Sequence, residues 1–372
     1  MRVLRCEEIS GYNEFLGLRV KWNELLQESE NNAVFLTWEW LRIWWEVFGS
    51  GKQLKIVLAY TPQGKLAGAA PFMIRRKTIM GFPARSIEFI GSGNEVTPDH
   101  LGIINRKGYK SAMLHGIFAY LKEDRSWDVL CLKDMREDGS LTHHVRQLTH
   151  QEYHAGITFN GICPYIRLPR DWNDYLHHLS PGNRYNIGRK ERNIERQMNV
   201  HFSLITSDQN LNDVMERLRE LHIKRMSEKK LAGPSVSPEF WEFHRRVARE
   251  FLDKGWLLLG VLEAGAIVVA CQYAFMYGGS VSFYQSGIEP DFNRYSVGLV
   301  STACMIRESI RRGAIEYDFL RGSEEYKFRW TKEYRRNMEL TVWNKHISGH
   351  VLRMLSAMKT TARKTAVRLI KK

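Results

Sequence analysis

The chain repeats itself, and the repeat limits its fold more than any other feature does. Phe35-Leu36-Thr37-Trp38-Glu39-Trp40-Leu41 opens a helical stretch to Gly49, followed by strand-like Leu54 to Tyr60, a turn at Gly64 and strand-like Leu66 to Ile74. Val236-Ser237-Pro238-Glu239-Phe240-Trp241 opens a second helical stretch, to Gly255, followed by Trp256 to Leu262, a turn at Gly265 and Ala266 to Phe275. Trp40 and Trp241, like Gly64 and Gly265, are 201 positions apart. Self-similarity at a fixed displacement is the mark of a duplicated unit. Further on, helix-like His115 to Leu121 and strand-like Trp127 to Leu132 answer to Ser301 to Arg312 and Ile315 to Leu320. Helices and strands mixed within each copy predict an α+β fold, a mixed sheet flanked by helices. The expected domains are 1–165 and 166–345, followed by a basic segment at 346–372.

Length agrees with a duplication, since 372 residues exceed the roughly 100–150 of a common domain. With 11 Trp, 15 Tyr and 17 Phe the chain can fill two cores, which excludes a disordered polar tract. The net charge of +14 is uneven, because eight of the positive charges lie beyond Glu339, where no acid follows. Such a balance favours phosphate-bearing ligands or anionic surfaces. Five dispersed cysteines, Cys6, Cys131, Cys163, Cys271 and Cys304, form no CxxC pair and read as reduced thiols. Glu7 and Glu8 precede any apolar run, so no secretory signal is expected and the location reads as cytoplasmic. From Gly255 to Gly279 Glu263 is the only charge. That stretch is long enough to span a bilayer, but its turn residues and Val/Ile content read as successive buried strands.

Between the copies, Leu168-Pro169 and Ser180-Pro181-Gly182 punctuate a linker. Asn183 to Gln197 then reads as a helix, with Ile187, Glu191, Ile194 and Met198 on one face. Its remaining surface, including Arg184 and Arg189, is either a solvated charged face or a basic wall toward a phosphate-bearing substrate.

These residues carry a family likeness. Phe35-Leu36-Thr37-Trp38-Glu39-Trp40-Leu41, Gly68-Ala69-Ala70-Pro71, Leu168-Pro169 through Arg189-Lys190, and Tyr317-Asp318-Phe319-Leu320-Arg321-Gly322 with Tyr326-Lys327-Phe328-Arg329-Trp330 resemble the CelD-like and BioF2-like acetyltransferases of the GNAT superfamily. The resemblance covers nearly the whole chain except its basic tail. It implies two tandem GNAT-like acyl-CoA N-acyltransferase domains and a kinship with the FemABX peptidoglycan aminoacyltransferases, which draw on aminoacyl-tRNA. It implies acetyl-CoA or another acyl-CoA as donor and an amine or amino sugar of a cell-envelope or exopolysaccharide precursor as acceptor. The adjacent pairs His143-His144 and His177-His178 diverge in a helix or strand and no RNA or DNA motif is present, so no metal and no stable nucleic-acid complex are expected.

Such a donor site needs a strand whose backbone can bond an amide-rich arm, then a helix whose free N–H groups meet phosphate. The second copy supplies that order. Strand-like Ser280 to Gly287 offers Gln285, Ser286 and Gly287, and Arg294, Tyr295, Ser296 and Gly298 open the next helix. Only Arg294 and Gly298 approximate the glycine-rich pattern of GNAT enzymes, which leaves an acyl carrier or aminoacyl-tRNA open as donor. In the first copy, Gly91-Ser92-Gly93 is followed by acids and a proline, a poorer anion cradle. After Ile315 to Leu320, Asp318 or Glu325 is the candidate base and Tyr326 the candidate acid. Arg321, Lys327 and Arg329 are candidate substrate binders. Tyr326 and Trp330 also fit ordinary core packing.

The tail places Val351, Leu355, Met358, Ala362, Ala366 and Leu369 on one helical face beneath a basic one. This is either a docked or frayed end, or a peripheral contact with anionic lipid at the inner face of the membrane. The functions in competition are an N-acyltransferase, an aminoacyltransferase of the FemX kind, and an accessory protein of polysaccharide assembly whose site has decayed.

Overall fold

The two helix starts of the repeat are built alike. Thr37 caps its helix by accepting from Trp40 N at 3.3 Å, and Ser237 caps the other by accepting from Phe240 N at 3.1 Å. These side chains satisfy a donor that the first helical turn leaves open. The turns at Gly64 and Gly265 both need positive φ, +77° and +61°, which glycine adopts without penalty.

The computed structural model describes residues 3–79, 81–93, 96, 98–148, 154–228, 237–346 and 348–354. The first half contains β1 (Arg5–Ile9), α1 (Tyr12–Leu16), α2 (Arg19–Gln27), α3 (Trp38–Phe48), β2 (Lys52–Tyr60), β3 (Leu66–Ile79) and β4 (Phe82–Phe89). It continues with β5 (Ile104–Asn105), α4 (Lys110–Glu123), β6 (Val129–Arg136) and α5 (Ser140–Leu148). The second half begins with β7 (His154–Arg167), α6 (Trp172–His178), α7 (Pro181–Gln197), β8 (Val200–Leu204), α8 (Leu211–Glu228) and α9 (Pro238–Asp253). It ends with β9 (Leu257–Ala264), β10 (Ile267–Tyr277), β11 (Ser280–Ile288), α10 (Val297–Arg311), β12 (Glu316–Asp318) and β13 (Tyr334–Trp343).

The chain divides into two compact units. One holds 1–92, 97–160 and the chain from Arg336 on; the other holds 93–96 and 161–335. In the first, β1 to β4 are antiparallel neighbours, β4 pairs parallel with β6, and β6 pairs antiparallel with β13. In the second, β8 to β11 are antiparallel neighbours, β11 pairs parallel with β12, and β12 pairs antiparallel with β7. The topology is the same twice, with the closing strands exchanged along the sequence. The expected boundary at 165/166 therefore falls inside β7, and residues 336–345 join the first unit rather than the second. Pairing with β6 decides this, and no local pattern in 336–345 announces it.

Each unit has its own core. Trp22, Trp40, Trp44, Phe72 and Phe89 are fully buried in the first, and Tyr175, Ile187, Phe283, Tyr317, Phe319 and Trp330 cluster in the second. The apolar stretch from 255 to 279 is β9 and β10, a buried antiparallel pair. No helix among the described residues is long and apolar enough to cross a membrane. A helix starts at residue 348 and is described to 354; the rest of the amphipathic tail lies outside the described residues.

Candidate active site

In the second unit a cleft of about 480 Å³ opens where α7, the end of β11 and the start of α10 meet. Ser180 starts α7 by accepting from Asn183 N, with Pro181 in the first turn, a position where proline's missing N–H costs nothing. The helix buries Ile187 and Ile194. Asn183, Asn186, Ile187 and Lys190 of α7 line the cleft together with Asn293, Arg329 and Trp330, and Asn183 Nδ2 donates to the Arg329 carbonyl at 2.8 Å.

The start of α10 supplies the other wall through Ser296, Gly298 and Leu299. The sequence expectation put this helix start at Arg294. Residues 290–295 instead form a 3-10 turn, and α10 begins at Val297. Ser296 has φ +61° and ψ +36°, a left-handed conformation that breaks the path of the chain and is uncommon outside glycine. Its carbonyl accepts from Leu299 N and Val300 N. The earlier N–H groups, on Val297 and Gly298, have no partner within the helix. Gly298 allows close packing here, because a Cβ would lie 2.5 Å from Ile288 Cδ1. A helix start with two neighbouring cations attracts anions through both its N–H groups and its dipole. No carboxylate lines the cleft.

Strand β11 has the second property the chemistry needs. It pairs with β12 only at Ser280, Val281 and Ser282, so from Phe283 on no strand of the described chain pairs with that edge. On its other edge the register with β10 skips one residue, Phe283 opposing Ala274 and Gln285 opposing Tyr273. Tyr284 is thus a bulge, which bends the strand and re-aims the side chains after it. The unpaired edge can bond the amides of an extended ligand arm.

The remaining sequence candidates disperse. Gln285 turns to α8, with Nε2 2.6 Å from His222 Nδ1, and Gly287 lies against α8, where a Cβ would meet Leu221 Cβ at 2.7 Å. Ser286 is half-buried on β11. Arg294 stacks over the Tyr295 ring at 4.7 Å, and neither residue lines the cleft. Arg184 and Arg189 also lie off the cleft-facing stripe of α7, and Arg189 reaches Asn186 Oδ1 at 3.4 Å. Of the proposed donor and substrate residues, Ser296, Gly298 and Arg329 come together. Lys190 belongs to the basic surface of α7 that the sequence puts forward as a wall toward phosphate, whereas Asn183, Asn186 and Asn293 were missed. On α7 the available signal was spacing, with Asn186, Ile187 and Lys190 three, four and seven residues from Asn183.

Asp318 is not a free base. Its Oδ1 accepts from Leu320 N at 2.7 Å, and Oδ2 is 3.2 Å from Arg335 Nη1. Arg335 also pairs with Glu316 and stacks over Tyr165, 3.7 Å from the ring centroid. These carboxylates and the tyrosine hold its pKa well above its usual value, against the effect of burial. Lys327 is likewise committed rather than offered to phosphate. Its buried ammonium donates to the carbonyls of Leu320 at 3.2 Å and Arg321 at 2.9 Å, and pairs with Glu324 at 3.0 Å. It fixes the loop after β12, in which Leu320 has φ +56°. Arg321 packs beside Gly161, where a Cβ would lie 2.7 Å from its Cδ. Glu325 is exposed. Burial, with help from Glu324, pushes the Tyr326 phenol well above its usual range, while Arg225 on α8 pulls it back.

Residues 182–328 match the family described as acetyltransferase (GNAT) domain. The second unit carries a GNAT domain. The match covers the bulged strand, the loop through Lys327 and the cleft residues from Asn183 to Leu299, and ends before Arg329 and Trp330. At the level of fold, the chain is similar to FemX, with a TM-score of 0.60 at 10% identity over 91% of this chain and 98% of that one. It is similar to a conserved protein of Bacteroides thetaiotaomicron VPI-5482, with a TM-score of 0.56 at 10% identity over 92% and 100%. A third neighbour is the C-terminal domain of a putative lysylphosphatidylglycerol synthetase from Agrobacterium fabrum, with a TM-score of 0.53 at 9% identity over 91% and 95%. No curated protein matches the sequence. The second unit is therefore similar to GNAT acetyltransferase domains, and the chain has the α+β fold expected of it.

Proposed function

We propose that the second unit is an N-acyltransferase that moves an acyl group, acetyl by first choice, from a thioester donor to an amine of an envelope or exopolysaccharide precursor. The observation that carries this reading is the acid-free cleft at the start of α10, beside a strand edge open to amide bonding. Ser296, Gly298, Lys190 and Arg329 would hold the donor's phosphates, and the backbone from Phe283 to Ile288 its extended arm. An acyl-CoA would supply the activated carbonyl. The amine nitrogen bonds to that carbonyl carbon as the carbon–sulfur bond breaks, and the amine proton passes to Glu325 or to solvent.

Tyr326 acts here as a hydrogen-bond donor. Its raised pKa keeps the phenol protonated, and a thiol ionises at about 8.5, so full transfer to a departing thiolate runs uphill. A departing alkoxide is basic enough to take that proton. A second reading, supported by the likeness in fold to FemX, is that the donor is an aminoacyl ester of the kind tRNA carries. Thermal-shift measurements with acetyl-CoA, longer acyl-CoAs and aminoacyl-tRNA separate the two readings. A melting temperature unmoved by every donor counts against both, and in favour of an accessory protein with a decayed site.

A further inference from the structure

Strands β3 and β4 continue beyond their neighbours in the first unit. The pairing of β2 with β3 stops at Lys52↔Arg75, and β6 joins β4 only at Ser86 and Ile87. Between these limits Arg76↔Arg85, Lys77↔Ala84, Thr78↔Pro83 and Ile79↔Phe82 form a two-stranded ribbon with no flanking strand among the described residues. At ~3.3 Å per residue the ribbon extends about 13 Å. Its tip reads Ile79-Met80-Gly81-Phe82-Pro83 in sequence, and Gly81 has φ +85°. Phe82 is 49% exposed, and Gly81 and Pro83 are exposed with it. Isolated two-stranded ribbons are marginal in water, and this one ends in apolar side chains.

Behind the tip lie four cations, Arg75, Arg76, Lys77 and Arg85. Glu88 pairs with Arg75 and Lys77, and Asp128 takes Arg85, so cations outnumber carboxylates and Arg76 is exposed. A lone exposed apolar residue needs no explanation. An apolar point with a cationic collar has the same order, from tip to base, as the acyl chains and phosphates of a bilayer. A few side chains are too small a surface for a stable protein interface, which takes about 800 Å² per partner. A lipid surface has no such minimum.

We propose that this hairpin is a membrane-contacting element, in which Phe82 and Ile79 enter the boundary between headgroups and acyl chains while Arg76 meets anionic lipid phosphate. It is independent of the tail and of the transferase reading. The test is cosedimentation of the full chain with vesicles of phosphatidylcholine and phosphatidylglycerol, and with phosphatidylcholine alone. Wild type binds the anionic vesicles in a salt-sensitive way. Phe82→Asp lowers the partition coefficient by about tenfold or more, and Arg76→Gln lowers it by about fivefold. Both positions are exposed, so the melting temperature stays unchanged. Absence of wild-type binding overturns the proposal, and so does equal binding by both variants, the result expected if the tail alone is the anchor. Conversion of a lipid-free dimer to a monomer by Phe82→Asp would assign the tip to self-association and overturn it as well.

Discussion

The two units run one topology, yet only one of them leaves the start of its crossover helix open to an anion. In the first unit the connection from β4 to α4 takes residues 90–109 and inserts β5, which pairs with Gly68 and Ala69 of β3. Beside α4 lies a pocket of about 170 Å³ whose cations are already matched, Lys110 with Glu30 at 3.4 Å and Arg136 with Asp138 at 2.7 Å. In the second unit the connection from β11 to α10 is the short turn at 289–296. The cleft there is about 480 Å³, and its Lys190 and Arg329 make no ion pair among the described residues. An anion entering the first pocket must compete with carboxylates, whereas no carboxylate lines the second among the described residues. Sheet order thus supplies a place for a site, and connection length and charge decide whether it is used.

The sharpest way to break this contrast is to remove cations from each unit. Lys190→Ala with Arg329→Ala is expected to weaken donor binding by about a hundredfold, since each charge-assisted contact contributes roughly 1.5–3 kcal/mol. Lys110→Ala with Arg136→Ala should leave binding unchanged. Calorimetry with whichever donor shifts the melting temperature reads both, and equal losses would sink the assignment of the donor to the second unit. Tyr326→Phe should lower kcat by about tenfold to a hundredfold while donor Kd holds. Parallel loss of Kd and melting temperature would make Tyr326 a packing residue.

Acid should separate the units next. Burial lowers His222 to about 4 and His244 to about 3 in the second unit, and lowers His144 to about 4 in the first. A lowered histidine pKa means that the unfolded chain takes up protons the folded chain refuses. The contribution is complete above about pH 6.5 and falls as the pH drops toward the folded values. At pH 5 the loss is roughly 2 kcal/mol per histidine, so the second unit weakens more. Amide exchange at pH 7 and pH 5 measures this, and equal loss of protection in both units would exclude the histidines as the cause. The smallest effect is Ser296→Gly, which relieves a positive φ and should stabilise by about 0.5–1 kcal/mol. A fall in the denaturation midpoint would show instead that the Ser296 hydroxyl has a structural partner.

Local physics made much of the fold readable. The turns at Gly64 and Gly265 appear in sequence because glycine is the residue that accepts positive φ, and the faces of α3 and α9 appear because burial recurs at helical spacing. Even so, the copies are offset by 200 positions at Thr37 and Ser237 and by 201 at the glycine turns, a one-residue drift that single landmarks conceal. Arg329, Ser296 and Gly298, proposed from sequence because they flank elements with recognisable starts, line one cleft. Asp318 and Lys327 looked equally suited to chemistry. Their commitment to Arg335 and to the carbonyls of residues 320 and 321 depends on which groups the folded loop brings within 3 Å or so, and spacing along the chain does not encode that.

What the sequence determined by itself was the duplication, the α+β class and the order strand, turn, helix at the cleft of the second unit, since each follows from periodicity, turn chemistry and capping within a few residues. Tertiary structure alone decided that β7 and β13 exchange places between the units, because strand pairing is a contact between distant segments that leaves no local trace. It also decided the side-chain directions after the bulge at Tyr284. One unpaired residue there reverses the alternation of the strand, which carries Gln285 toward His222 of α8 and away from the cleft.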